Sequence, residues 1–174
     1  MGKMRIAILG LGESIREYNG GFDETIGVND IWRIVKSDHV VCVDLPGRFT
    51  PDRLDVINNC CPKRFYSQLD EWSKRPDFYR IRLQQYYPTY ICQLNIAEIP
   101  KSFCSPFVAA VIAFKYHDAG EIHLFGVDFV NHPHLKNDTV SKIRNHFINL
   151  RDALKPHGVR LVVHGNGALR MVTI

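Results

Sequence analysis

The chain has 174 residues and a formal net charge of +4, from 22 Lys and Arg against 18 Asp and Glu. A hydrophobic share of 45% with 23% charged residues is ordinary for one globular domain, which at this length buries about 70% of its unfolded surface. No apolar run reaches the ~18 residues of a membrane helix, and no Lys/Arg block tracks a nucleic-acid backbone. A membrane-spanning protein and a dedicated nucleic-acid binder are thereby disfavoured.

Met1-Gly2-Lys3-Met4 leads straight into an apolar run without a signal-peptide core, so the expected location is cytoplasmic. The five cysteines agree. Cys42, Cys92 and Cys104 have apolar neighbours, Cys60 and Cys61 are adjacent, and an odd number without C-x-x-C argues against a disulfide framework or zinc ribbon.

In chain order, Arg5–Leu9 reads as a buried strand and Glu13–Tyr18 as a short helix. Thr25–Val28 is a second strand, Asp30–Lys36 a helix and Val40–Val43 a third strand. Thr50-Pro51 signals a helix over Pro51–Asn58. A strand near Arg64–Tyr66 follows, then a helical pattern at Gln68–Lys74. Ser105 is expected to cap a helix over Pro106–Tyr116 with proline at its first position. The strand Ile122–Phe125, the helix Val140–Leu154 and the strand Arg160–Val163 complete the pattern, and Lys155-Pro156-His157-Gly158 stops the long helix. Strand and helix alternate, so the expected class is α/β: a Rossmann-like, mostly parallel sheet with helices on both faces. One domain spans residues 1–174. The aromatic, proline-punctuated stretch at about 63–101 is expected to be an irregular insertion over the ligand side.

The first strand stops at Gly10-Leu11-Gly12-Glu13-Ser14. Glycines let a backbone approach an anion, and helix-opening amides point at it. Ile15 stands where a dinucleotide fingerprint has its third glycine, although Asp30 lies where the ribose-binding acid would be. Asn29 ends the second strand, Asp44 the third, and Gly126-Val127-Asp128 a later one, while Ser105 opens a helix. In a parallel sheet all of these fall on the carboxyl edge, where ligands bind. Asn131-His132-Pro133-His134 follows that edge and His146 lies further on, each histidine a candidate acid or base. His123 and His164 lie in or beside strands and read as structural. P-loop, nucleophile-elbow, His-Glu-x-x-His and Asp-x-Asp patterns are absent.

The order of these motifs resembles the bacterial sialyltransferases of the lipooligosaccharide type. It is equally similar to the shorter proteins related to archaeal 6-hydroxymethylpterin pyrophosphokinase, many of them phage-borne. The resemblance spans Arg5 to about Leu169. It implies a nucleotide or nucleotide-sugar ligand, with Gly10, Gly12 and Ser14 at its phosphate, and Asn29, Asp44 and Ser105 at its ribose and base. Gly126 and Asp128 would close the site, and His132, His134 or His146 would serve as the base. The chain departs from the sialyltransferase pattern at Leu11 and Glu13, where Asn and Pro are usual, at Asp44, usually Asn, and at Val130, usually Tyr.

These readings converge on a small nucleotide-binding transferase, glycosyltransferase-like and metal-independent, with the nucleotide sugar as substrate and no resident cofactor. Mg²⁺-dependent pyrophosphoryl transfer from a nucleoside triphosphate, with Asp44 and Asp128 on the metal, is the alternative. A non-catalytic nucleotide-sequestering module is the third.

Overall fold

The structure, a computed structural model, describes residues 2–84, 99–130 and 137–172. His132, His134, Cys92 and the insertion's Tyr86, Tyr87 and Tyr90 lie outside the described residues.

Among the described residues seven strands run β1 Met4–Leu9, β2 Glu24–Val28, β3 His39–Val41, β4 Arg64–Ser67, β5 Phe78–Arg80, β6 Ala119–Phe125 and β7 Arg160–Val163, and three α-helices accompany them: α1 Pro51–Asn59, α2 Ser105–Tyr116 and α3 Asn137–Leu154. The strands form one sheet in the order β5-β4-β3-β2-β1-β6-β7, and every pairing is parallel. The chain steps outward from β1 to β5, then crosses back to place β6 on the other side of β1. This reversal opens a crevice at the carboxyl ends of the strands, where open α/β sheets bind ligands.

Side-chain alternation divides the core. Ile6, Ile8, Ile26, Val28, Val41, Ile122 and Leu124 face α2 and α3. Ala7, Leu9 and Phe125 face the short connections that follow β1 and β2, and Val40, Cys42 and Phe65 face α1. Strands covered on both sides need apolar residues at successive positions, which is why they read as unbroken runs. From Phe107 to Ala113 every residue of α2 is buried, so this helix is the centre of the larger core rather than a surface helix.

Several connections are tighter than the sequence predicts. Glu13–Glu17 is a five-residue 3₁₀ helix, and Ile31–Arg33 and Asp70–Trp72 are single 3₁₀ turns. After β2 the return path lies close to the strand: a Cβ on Gly27 would meet Ile31 Cγ2 at 2.3 Å and Ser37 Oγ at 2.5 Å. Ser105 is the first residue of α2 rather than its cap. Cys104 holds the cap position, and its amide donates to Ser102 Oγ at 3.0 Å. The stretch expected to be irregular contains β4 and, as an addition to the expected strands, β5. Thr50 precedes α1 as predicted, and Gly158 ends the turn after α3 with φ 67°. Among the described residues no helix is long and apolar enough to cross a membrane.

Candidate functional site

The carboxyl edge carries a cleft of about 1440 Å³, larger than the roughly 300–1000 Å³ of a single small-ligand pocket. Gly12 and Ser14 after β1, Asn29 after β2, Asp44 after β3 and Ser105 at the start of α2 all line it. Gly126 and Asp128 close it beyond β6, and His146 reaches it from α3. Gly10 does not line it. His132 and His134 fall outside the described residues.

The glycine turn is bound to the protein itself. Gly10 N–H donates to Phe125 O at 2.7 Å and Gly12 N–H to Gly126 O at 2.8 Å. A Cβ on Gly10 would lie 2.3 Å from Gly126 O, and one on Gly12 would lie 2.3 Å from Asp128 Oδ2. These glycines therefore admit β6 and the chain that follows it. Ser14 Oγ accepts the Gly126 N–H at 2.8 Å, while the Ser14 N–H donates to Asp128 Oδ2 at 2.9 Å. The amide expected to meet a phosphate thus meets an internal carboxylate.

The donors at the start of α2 have a different setting. Ser105 and Pro106 face the cleft at the amino end of a 12-residue helix, where the macrodipole favours negative charge. Ser105 Oγ lies 3.4 Å from Asn29 Oδ1. Asn29 holds φ 52°, a left-handed conformation asparagine tolerates, and its amide donates to Val41 O at 3.0 Å. Phe129, also on the rim, holds φ 51°. Such a conformation is strained for an aromatic residue, and strain of this kind concentrates at binding sites.

Among the described residues, Glu13, Glu17, Asp44 and Asp128 line the cleft against Arg16 and Lys142. Burial pushes the Asp44 carboxyl up, and Arg48 and Arg53 pull it back. Its backbone is held by Trp72, whose indole N–H donates to Asp44 O at 3.2 Å. Burial lowers the pKa of His146, whose ring lies 5.8 Å from that of Phe107, so its imidazole is neutral near pH 7. The Cys104 thiol, beside the cleft, is pushed by burial up to about 12 and is no nucleophile.

Asp30 is fully buried and accepts from Arg53 Nε at 3.0 Å and Nη2 at 2.6 Å. It is an ion-pair partner, not a ribose-binding acid. His123 is satisfied by His164 Nε2 and Glu121 Oε2, each at 3.0 Å, as its strand position suggests. Sequence reasoning missed Arg16, Lys142 and the loop after β7. Gly165-Asn166-Gly167 lines the cleft, the Gly165 N–H donates to Glu17 Oε2 at 3.1 Å, and a Cβ on Gly167 would lie 2.5 Å from Asp128. Its signal was a second Gly-x-Gly shortly after a strand.

The fold and site together define a Rossmann-like α/β protein with a large cleft at its topological switch point. In comparisons with protein-family models, curated proteins and solved structures, the chain matches none.

Proposed function

We propose that the cleft binds a nucleotide and that the protein is a transferase of glycosyltransferase-like type using a nucleotide-sugar donor. The observation that carries this reading is the meeting of Asn29, Asp44, Ser105, Asp128 and His146, from five separate segments, on one cleft where the strand order reverses. The volume leaves space for an acceptor beside a nucleotide. Asp128 already occupies the Ser14 amide, so the phosphate end of the donor sits at the start of α2, against Ser105. Asn29 and Asp44 read the ribose and base. His146, kept neutral by burial, takes the proton of an acceptor hydroxyl, a step worth about 10²–10⁴ in rate. His132 and His134 remain candidates for the same role. Positioning and charge stabilisation supply the rest of the acceleration.

One observation favours the second reading, Mg²⁺-dependent pyrophosphoryl transfer. Among the described residues carboxylates outnumber cations around the cleft, and a triphosphate there needs a counter-ion. Asp44 and the Asp128 oxygen not engaged by Ser14 are oxygen donors of the kind Mg²⁺ takes. The cation would neutralise phosphate charge.

A thermal-shift screen with CMP, UDP, GDP and ATP, each with and without Mg²⁺, tests both readings. A ligand at 100 times its Kd stabilises by about 2.7 kcal/mol. Stabilisation without Mg²⁺ that is weakened at least tenfold in affinity by Ser105→Ala supports the first reading. Strict Mg²⁺ dependence lost in Asp44→Asn supports the second. No response to any nucleotide overturns both.

A further inference from the structure

At the amino-terminal edge of the sheet, beyond the far end of α2 from the cleft, three side chains from three elements converge. Glu24 opens β2, His39 opens β3, and His117 follows the last residue of α2. One donor atom from each, a carboxylate oxygen and two ring nitrogens, lies within 4.8 Å of the others. The two imidazole centroids are 4.5 Å apart. The His39 and His117 side chains are 4% and 6% exposed and Glu24 19%.

Hydrogen-bond accounting separates the two histidines. His117 is satisfied at both nitrogens, Nδ1 against Glu24 Oε2 at 2.5 Å and Nε2 against Tyr66 Oη at 2.8 Å. Among the described residues His39 has a hydrogen-bond partner at neither nitrogen. Its Nε2 lies 3.5 Å from Glu24 Oε2, too far for an N–H···O bond. A buried imidazole without partners is costly, and coordination to an ion is one way to satisfy it.

We propose that Glu24, His39 and His117 form a buried site for a divalent transition-metal ion of the zinc class. Two imidazoles and a carboxylate suit such ions rather than Ca²⁺ or Mg²⁺, which take oxygen ligands. Metal–ligand bonds of about 2.0–2.1 Å at tetrahedral angles put donor atoms roughly 3.3 Å apart. The His39–Glu24 spacing is already close to this. The shorter His117–Glu24 contact opens when the ion replaces the proton between them. His117 then binds through Nδ1 as the tautomer whose Nε2–H donates to Tyr66 Oη, the outer partner typical of ligating histidines. The carbonyl end of α2 adds partial negative charge beside the site. Lys63 Nζ lies 3.9 Å from Glu24 Oε1 but 2.9 Å from Asp38 Oδ1, so Asp38 offsets its charge and Glu24 Oε2 still faces the histidines. Arg64 Nη1 stands 3.5 Å from Tyr66 Oη. A fourth position is left for water. Because the site is remote from the cleft, the ion ties β2, β3 and the end of α2 together.

Chelator-stripped full-length protein titrated with Co²⁺ should show one equivalent bound with a visible ligand-field band, displaced by Zn²⁺. His39→Leu, which removes the unpartnered ring while keeping bulk, should weaken binding at least 100-fold, and Tyr66→Phe by about 10–100-fold. The double substitution His132→Ala and His134→Ala should leave the band unchanged. Should His39→Leu fail to fold, imidazole ¹⁵N resonances of the unmodified chain decide: Zn²⁺ should shift those of His39 and His117 and leave His123 and His164 in place. Absence of a stoichiometric band, a band that survives His39→Leu, or one lost with His132 and His134 overturns the proposal.

Discussion

Ser14 shows how one residue can look like a ligand contact and act as an internal fastener. Its hydroxyl and amide are both used, by Gly126 and Asp128 respectively. Ser14→Ala leaves a buried Gly126 N–H without an acceptor, a loss of about 1–3 kcal/mol. Urea unfolding should show that loss as a lower midpoint, while nucleotide affinity falls less than in Ser105→Ala. The opposite ranking would return the phosphate to the glycine turn. That Gly12, Ser14 and Asp128 belong to one neighbourhood was legible in the sequence, because each follows a strand of a parallel sheet. Their roles were not. A Gly-x-Gly-x-Ser turn presents the same residues to an external anion or to a carboxylate from another loop, and only the folded path of Gly126–Asp128 distinguishes the two. The histidine–glutamate cluster was less legible still, since Glu24, His39 and His117 are far apart in the chain and each looks like an isolated polar residue beside an apolar run.

Among the elements, the short apolar strands were the most readable. Arg160–Val163 matches β7 residue for residue, and β1 and β2 each start one residue earlier than expected and end as expected. An unbroken β-branched or aliphatic run leaves a strong local signal, although the expected Val40–Val43 is observed as His39–Val41. The three-residue strand β5 left no such signal, because Phe78 is half-buried and Tyr79 and Arg80 are exposed at the sheet edge. The helices predicted at Asp30–Lys36 and Gln68–Lys74 shrank to single turns because tertiary contacts outweigh weak local propensity. For α2 the packing is tight all round. Ala110 is fully buried in the larger core, so Ala110→Leu should overpack it and cost about 1–3 kcal/mol. The change should be readable as a lower thermal midpoint without loss of helical circular dichroism at 20 °C.

At the scale of the whole molecule, half-buried histidines make stability depend on pH. His146 and His164 both have pKa values lowered by burial, the latter also by His123. The unfolded chain therefore takes up protons more readily than the native one. Their contribution is present above the ordinary histidine value of about 6.5 and is lost as pH falls through the lower native values. Urea midpoints should drop between pH 7.5 and 5.5, and the drop should narrow in His146→Gln. An unchanged midpoint would mean that these rings accept protons freely in the native state.

The place of α2 in the chain has a consequence for biosynthesis. This helix shields β1, β2 and β3, yet it leaves the ribosome after all of them. Until residues 105–116 emerge, Ile6, Ile8, Ile26, Val28 and Val41 lack the helix that packs on that side, and β1 lacks its neighbour β6. A nascent chain halted earlier therefore presents a sticky apolar sheet, the kind of surface that recruits chaperones or aggregates. The sheet acquires this cover only once α2 and β6 are available to pack on β1.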